Sequence, residues 1–307
     1  MRIDKVKKWW PLAPIKSINT LLGGAINKLF KVSTRFGVYT VRVYLQKKST
    51  EVNFEVELLN KLSDFPVPSP VKVKGNYAHE LDGYPVVIYN YIPGNTVTRP
   101  NSRQTQEVGN FLAQLHNLGK QFKYSGKREK LYNFTKARAR KYMDIGRNKK
   151  YQNRLQEVYQ DVLDYQIPDR LPKSVIHVDV KPGNVLFSKG RLSGIIDFDN
   201  AYIGPSILDL AKSIVWFASE NGKFSTNRAK QIYSGYTGVR ALSKQEKNML
   251  YATVRYAYAS HLLVDFYMIA QKRIPKQYFS YLMNSFYRSY QDFITSISQE
   301  QFNEMLS

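Results

Sequence analysis

Carboxylate and amide side chains recur at a regular spacing in two neighbouring segments, His177–Asn184 and Ile195–Asp199. Asp179 precedes Asn184 by five residues, so a tight loop between strands could place both side chains at one phosphate. Asp197 would lie at the end of the next hairpin. Phosphoryl transfer needs a carboxylate at the acceptor hydroxyl and oxygen ligands that hold Mg2+ on the nucleotide phosphates. The spacing therefore predicts Asp179 as the base or orienting group, and Asn184 and Asp197 as the metal ligands.

The same residues have a simpler interpretation as a polar hairpin turn, because Pro-Gly-Asn is ordinary turn chemistry. That interpretation explains Pro182-Gly-Asn184 but not the two aspartates placed on either side of it. The joint pattern of Asp179, Asn184 and Asp197 therefore favours phosphate chemistry.

Apolar runs of strand length flank these residues, and helical spacing occupies the rest of the chain. The predicted strands are Leu29–Val32, Tyr39–Tyr44, Val71–Lys74, Tyr84–Tyr91, Ser174–Val178, Val185–Phe187 and Leu192–Ile196. The predicted helices are Glu51–Leu62, Arg103–Leu118, a basic segment that follows, another helix up to Pro168, and about four tyrosine-rich helices from Ile207 onward. A β-rich part followed by a mainly helical part is an α+β architecture, with a cleft between the two parts.

Length and composition agree with this division. The 307 residues exceed the size of most single cores, so we predict an N-terminal lobe over residues 1–94 and a helical C-terminal lobe over residues 95–307. Cysteine is absent, which excludes disulfides and thiolate metal sites and is compatible with a reducing compartment. No run reaches the roughly 18–20 apolar residues that span a bilayer. Pro11 and Pro14 interrupt the basic N-terminus, which makes a poor secretory signal, so we expect a cytoplasmic protein.

The formal net charge of +22 favours anionic partners, and much of it falls within residues 121–160. This window, the basic segment, holds twelve Lys and Arg residues against three acidic ones, a local balance of 12 − 3 = +9. A solvated helical face is the favoured interpretation. Contact with an anionic partner through the basic segment is the alternative.

The two acidic motifs resemble those of a known superfamily. His-x-Asp-x-x-Pro-Gly-Asn-Val-Leu-Phe from His177, Ile-Ile-Asp-Phe-Asp from Ile195, Gly204-Pro and Asp209-Leu-Ala look like the aminoglycoside phosphotransferase and choline kinase superfamily. Homoserine kinases of the same fold have a similar pattern. The resemblance covers about residues 17–220 and implies a two-lobed, protein-kinase-like fold that uses ATP and Mg2+.

The resemblance also assigns residues around the nucleotide. The implied nucleotide-binding positions are Gly23, Gly24 and Asn27 in a glycine loop, Arg42 with its helix partner Glu55, and the hinge backbone at Asn90 and Ile92. Arg42 stands where the family carries a lysine, which changes a point charge into a planar fork. The resemblance further implies that His116 is a structural residue of its helix, and that His177 and Asp209 support the catalytic loop rather than react.

Lys181 is a feature of protein Ser/Thr kinases, where this position reaches the transferring phosphate. Asp199 replaces the glycine that such kinases carry, and only eleven residues separate Asp197 from Asp209, too few for a peptide-binding segment. We therefore expect a small molecule with a hydroxyl group as acceptor. Acidic residues are sparse after residue 212, which favours a neutral or zwitterionic acceptor.

His261 and Asp265, four residues apart, would share a helix face and are interpreted as a surface pair. The alternatives that remain for the chain are a homoserine kinase-like enzyme, a protein Ser/Thr kinase, and a basic protein that binds nucleotide or nucleic acid without catalysis.

Overall fold

Strands and two helices make up the N-terminal part of the chain. The structure is a computed structural model that describes residues 2–21, 27–124, 128 and 130–306. The strands are β1 (Ile15–Thr20), β2 (Lys28–Thr34), β3 (Val38–Val43), β4 (Ala78–Leu81) and β5 (Tyr84–Asn90). The helices are α1 (Ile3–Trp9) and α2 (Ser49–Lys61). The strands form one antiparallel sheet in the order β1-β2-β3-β5-β4.

Alternation along β3 sends its side chains to two different faces. Val41 and Val43 join a small apolar cluster that also holds Val6 of α1. Arg42 lies on the opposite face, where α2 presents Glu55. The sheet thus separates an apolar support from the face that takes part in the site.

One predicted strand is wrong. Within Val71–Lys74 only Val73 forms an isolated bridge, to Asn76, and the fourth strand along the chain is β4 instead. Val73 exchanges backbone hydrogen bonds with Asn76, and Lys74 and Gly75 have φ values of +46° and +86°. These left-handed residues turn the chain back before a strand can extend, and the turn delivers the chain into β4.

Helices dominate the chain after residue 101. They are α3 (Ser102–Gly119), α4 (Lys136–Ile145), α5 (Gln152–Asp164), α6 (Ser206–Ala218), α7 (Thr226–Thr237), α8 (Lys244–Ala270), α9 (Tyr278–Tyr281), α10 (Tyr287–Ser296) and α11 (Gln299–Leu306). A π-helical turn over Leu282–Phe286 joins α9 to α10. The predicted order of a β-rich part and then a helical part is confirmed.

Short strands hold the acidic motifs between these helices. They are β6 (Asn95–Thr96), β7 (Lys173–Ile176), β8 (Val185–Ser188), β9 (Arg191–Ile195), β10 (Tyr202–Pro205), β11 (Ser219–Glu220) and β12 (Lys223–Phe224). β7 pairs with β10, and β6, β8 and β9 form a second small sheet. β6 follows the first sheet in sequence but pairs with β8, a strand of the helical part. The predicted lobe boundary at residue 94 therefore falls just before a strand of the helical part. The boundary itself stays a prediction.

The helical part packs around α6, in which every residue except Trp216 is buried. A helix that is buried on all sides must be surrounded by other elements, here chiefly α7 and α8. The close contact between α3 and α7 depends on small residues, because a Cβ atom on Gly109 would overlap the carbonyl oxygen of Ile232. In the part of the chain that the structure describes, no helix is both long and apolar enough to cross a membrane.

Candidate active site

Both parts of the chain line one cleft of about 1060 Å³. The sheet and α2 supply one wall, and the loops after β7 and β9 supply the floor. Residues of α8 and the segment after it line the far end. Most of the positions that the sequence singled out therefore meet in a single space, although they span more than 200 residues of chain.

Arg42 connects the sheet to the helical part through three carboxylates. Its Nη2 atom lies 2.5 Å from Asp197 Oδ1 and 3.1 Å from Asp199 Oδ2. Its Nη1 atom lies 3.4 Å from Glu55 Oε1. Burial alone would lower the pKa of Arg42, but the charges of Asp197 and Glu55 raise the pKa well above the ordinary value. Arginine suits this place because its planar fork of five N–H donors can face several carboxylates at once.

The loop after β7 gathers two polar side chains, Asn184 and Lys181, around the Asp179 carboxylate. Asn184 Nδ2 donates to the carbonyl oxygen of Asp179 at 2.9 Å and to its Oδ2 at 3.3 Å. Lys181 Nζ lies 2.7 Å from the same Oδ2. The other carboxylate oxygen, Oδ1, is buried and has no hydrogen-bond partner among the described residues. Asp179 thus keeps one oxygen free for a ligand.

The buried side chain of Asp209 supports this loop through hydrogen bonds to its backbone. Its buried carboxylate accepts the backbone N–H groups of His177 at 2.8 Å and Val178 at 2.7 Å, and it lies 3.1 Å from His116 Nε2. Val178 has a φ of +62°, an uncommon conformation for a β-branched residue. Strain of this kind persists only where the surroundings enforce it. The two hydrogen bonds to Asp209 are that enforcement.

The end of β9 brings Asp197 beside Asn184. The Ile196 N–H donates to the Asn184 carbonyl oxygen at 2.9 Å, and Asp197 itself has a φ of +72°. Burial alone would raise the pKa of Asp197, but the charge and hydrogen bond of Arg42 lower the pKa below its usual range. Asp197 is therefore an ionised carboxylate at neutral pH.

Asp199 is a second centre of contacts, although the sequence singled it out only as part of a motif and as the residue in place of a protein-kinase glycine. Its Oδ2 accepts a hydrogen bond from Asn27 Nδ2 at 3.2 Å and lies 3.7 Å from Lys47 Nζ. Its carbonyl oxygen accepts from Lys47 and from Arg128. Arg128 also donates to the carbonyl oxygens of Glu51 and Ala201, both at 2.9 Å. No local pattern could have selected Lys47 or Arg128, because their targets lie far away in sequence.

The remaining predicted nucleotide positions are described in part. Asn27, Asn90 and Ile92 line the cleft. The Asn90 backbone N–H is engaged by the Ser69 carbonyl oxygen at 2.9 Å. Gly23 and Gly24 lie outside the described residues.

The far end of the cleft corrects one interpretation. His261 and Asp265 are not a surface pair, because each is only 3% exposed. His261 Nε2 lies 3.3 Å from Asp265 Oδ2, and His261 Nδ1 lies 2.7 Å from the Nζ atom of Lys212, a fully buried residue of α6. The helical spacing of α8 was read correctly, but spacing does not reveal that other elements cover this face.

The donor set can accommodate Mg2+ and phosphate. The Asn184 amide nitrogen is used by Asp179, which leaves the amide oxygen as the atom able to bind a cation, and Asp197 offers a carboxylate beside it. Mg2+ needs few protein ligands because it retains waters and substrate phosphate oxygens. The basic groups Arg42, Lys47 and Lys181 face the same space.

Comparison with known proteins identifies the class. A family model described as the phosphotransferase enzyme family (APH) matches residues 17–242, well over half of the chain. The chain belongs to this phosphotransferase family, and the resemblance inferred from its motifs is confirmed.

Individual proteins agree with this assignment. The chain is 29% identical over 296 residues to a homoserine kinase of Parvibaculum lavamentivorans, which covers 89% of each chain. Among solved structures, an amicoumacin kinase in complex with AMP-PNP, Ca2+ and Ami superposes with a TM-score of 0.71, 17% identity, and coverage of 96% of this chain and 95% of that one. A choline/ethanolamine kinase family protein from Mesorhizobium loti superposes with a TM-score of 0.69 and 16% identity, and the match covers 100% of this chain and 99% of that one. The solved structures establish the shared kinase-like fold, as predicted.

Proposed function

We propose that this protein transfers the γ-phosphate of ATP to the hydroxyl group of a small molecule, with L-homoserine as the first candidate acceptor. The observation that carries the proposal is the convergence of Asp179, Asn184, Asp197 and Arg42 on one cleft. A carboxylate with a free oxygen, a pair of cation ligands and a phosphate-facing arginine are the parts that phosphoryl transfer requires.

The nucleotide would lie under the sheet. Asn184 and Asp197 would hold Mg2+, which when bound neutralises charge on the phosphate oxygens. Arg42, held by Glu55, would face the phosphates, and the glycine loop with Gly23, Gly24 and Asn27 would cover them. The hinge backbone at Asn90 and Ile92 would contact the adenine. The lining of the cleft supports the roles of the described residues, and the family pattern supports those of Gly23 and Gly24.

Asp179 would orient the acceptor hydroxyl through its free Oδ1 and accept the proton that leaves it. Lys181, held at Asp179 Oδ2, would offset charge on the transferring group. Burial alone would lower the pKa of Lys181, but Asp179 raises it, so the ammonium stays charged at neutral pH. Catalysis would then rest on positioning and fixed charge, with no covalent intermediate on the protein.

A zwitterionic acceptor suits the far end of the cleft. Asp265 offers a carboxylate and Arg273 offers a guanidinium in the same lining. The relative from Parvibaculum lavamentivorans is named for homoserine, which carries an amino group, a carboxylate and a primary hydroxyl. Amino alcohols without the carboxylate are the second candidate, because the choline/ethanolamine kinase family protein has the same fold.

The proposal is tested by ADP release in an acceptor panel with ATP and Mg2+. Wild type should phosphorylate L-homoserine, and Asp179→Asn should lower kcat by about 10²–10⁴-fold, the usual contribution of a positioned general base. Asp169→Asn, an exposed aspartate outside the cleft, is the matched control and should keep wild-type kcat.

Two results would separate the alternatives. Acceptor-dependent turnover that survives in Asp179→Asn would remove the role of this carboxylate. Nucleotide binding without turnover of any acceptor would favour a protein without catalysis, and a contact of the basic segment with nucleic acid would then show a steep loss of affinity with salt.

A further inference from the structure

A buried chain of three polar side chains lies behind the acceptor end of the cleft. Lys212 Nζ and His261 Nδ1 are 2.7 Å apart, and His261 Nε2 and Asp265 Oδ2 are 3.3 Å apart. We call Lys212, His261 and Asp265 the buried triad. Lys212 is fully buried in the middle of α6, between Ala211 and Ser213, which are buried as well.

The aromatic surroundings of the buried triad fix its geometry. Lys212 Nζ lies 3.7 Å from the ring centroid of Tyr132, and the rings of Tyr132 and His261 stack with centroids 5.1 Å apart. Trp216 contacts the His261 ring edge-on at 4.8 Å. A cation over an aromatic face is attracted to it, so Tyr132 holds the ammonium group and the imidazole together.

The direction of the hydrogen bonds follows from the chemistry of lysine. A lysine ammonium can only donate, so His261 Nδ1 accepts from Lys212 when Lys212 is protonated. The neutral imidazole then carries its proton on Nε2, the atom that faces Asp265. Lys212 therefore sets the tautomer that places an N–H group toward the Asp265 carboxylate.

The Oδ2 atom of Asp265 has hydrogen-bonding capacity that no described residue uses, although Tyr278 also interacts with the Asp265 carboxylate. Although His261 Nε2 is close, no described side chain meets Asp265 Oδ2 with hydrogen-bond geometry. Asp265 lines the same cleft as Asp179, together with Tyr132 and Tyr278. A buried carboxylate with an unfilled acceptor site is unfavourable unless a donor arrives. A cationic group of the acceptor, placed between the carboxylate and the aromatic rings, would supply that donor.

We infer that Asp265 is the carboxylate that binds the amino group of the acceptor, and that Lys212 is a positioning residue that orients Asp265 through His261. The inference rests on the proposed function and specifies the acceptor as an amine-bearing alcohol. Lys212 does not touch the acceptor, because it is fully buried.

A merely structural role for the buried triad would have different consequences. If these residues only joined α6 to α8, then replacing them would lower stability and affect every acceptor equally. A role in amine recognition instead predicts that the defect depends on whether the acceptor carries an amino group.

Three acceptors isolate the amino group. L-Homoserine carries an amine and a carboxylate, 3-aminopropan-1-ol carries the amine alone, and 4-hydroxybutanoate carries the carboxylate alone. Binding of each to the full chain is measured by titration calorimetry with AMP-PNP and Mg2+, and turnover is measured separately with ATP. Wild type should bind both amines. Asp265→Asn should weaken both by roughly 10- to 100-fold, the range for a lost hydrogen bond to a charged group, and leave 4-hydroxybutanoate unchanged.

Lys212→Met tests the positioning role, because methionine fills a similar volume without a donor. It should weaken both amines by several-fold and raise KM for L-homoserine more than it changes kcat. Asp144→Asn, an exposed aspartate of α4, should match wild type for all three acceptors. Thermal unfolding of each variant verifies that it is folded.

The outcomes are distinguishable. The inference would be overturned if Asp265→Asn weakened the binding of all three acceptors equally, or if Asp265→Asn bound all three as tightly as wild type does. It would also be overturned if wild type bound neither amine. Amine-selective weakening in Asp265→Asn without any turnover by wild type would leave the inference standing and overturn the proposed phosphotransfer to L-homoserine.

Discussion

Replacement of Asp209 by alanine should remove two hydrogen bonds that hold the catalytic loop, although Asp209 itself does not line the cleft. The side chain accepts two backbone N–H groups, from His177 at 2.8 Å and Val178 at 2.7 Å, and is fully buried. Each hydrogen bond to a charged acceptor stabilises the fold by roughly 1.5–3 kcal/mol, so the two together contribute about 3–6 kcal/mol. Relaxation of the strained backbone at Val178 would return about 1–3 kcal/mol. We expect a net loss of about 3 kcal/mol in the free energy of unfolding.

Urea unfolding followed by tryptophan fluorescence measures this loss, and kcat is measured on the folded fraction. Because Asp179 follows the strained residue directly, loss of its position should lower kcat by about 100-fold, the effect of a misplacement near 1 Å. Asp209→Asn keeps one acceptor oxygen and should fall between wild type and Asp209→Ala. Asp169→Ala, an exposed aspartate, should stay within about 0.5 kcal/mol of wild type.

The charge of Asp209 adds a pH dependence with a definite sign. Burial alone would raise the pKa of Asp209, but the hydrogen bonds and charges of His116 and His177 lower it below the usual range. A carboxylate with a lowered pKa contributes stability that is present above the unfolded pKa of about 4 and is lost as the pH falls through the folded value. The stability gap between wild type and Asp209→Ala should therefore shrink in acid. An unfolding free energy of Asp209→Ala within 1 kcal/mol of wild type at neutral pH, with unchanged kcat, would refute the reasoning.

Two further predictions concern packing and burial. Gly109→Ala should lower the free energy of unfolding by about 1–3 kcal/mol, because its Cβ would overlap the carbonyl oxygen of Ile232. Gly183→Ala is the control and should change the urea midpoint little, because nothing lies within 4 Å of its Cβ. Equal urea midpoints for the two variants would contradict the close helix contact. Burial lowers the pKa of Lys212 to about 7, so the unfolded chain binds a proton that the folded chain lacks between about pH 7 and pH 10, and stability should rise with pH there. From pH 6.5 to pH 9 wild type should gain about 2 kcal/mol in unfolding free energy relative to Lys212→Met. A difference between the two proteins that stays constant with pH would contradict the lowered pKa of Lys212.

The sequence alone was informative wherever the decisive contacts are local. Asp179, Lys181 and Asn184 lie on one loop of eight residues, and backbone geometry leaves such a short loop few ways to arrange them. Strand alternation likewise separates Arg42 from Val41 and Val43, so the charged face of β3 could be anticipated. The strand at Val71–Lys74 was predicted wrongly because its composition suits a strand, while the turn at Lys74 and Gly75 prevents one.

Only the tertiary structure decided what covers each face and which distant charges meet. Arg42 and Asp197 are separated by 155 residues, and no local pattern relates their positions. His261 and Asp265 share a helix face, as their spacing required, yet Lys212, Tyr132 and the cleft give that face its chemistry. The physical reason is that periodicity specifies which residues of a helix lie together, whereas burial, pKa and partner depend on elements that arrive from elsewhere in the chain.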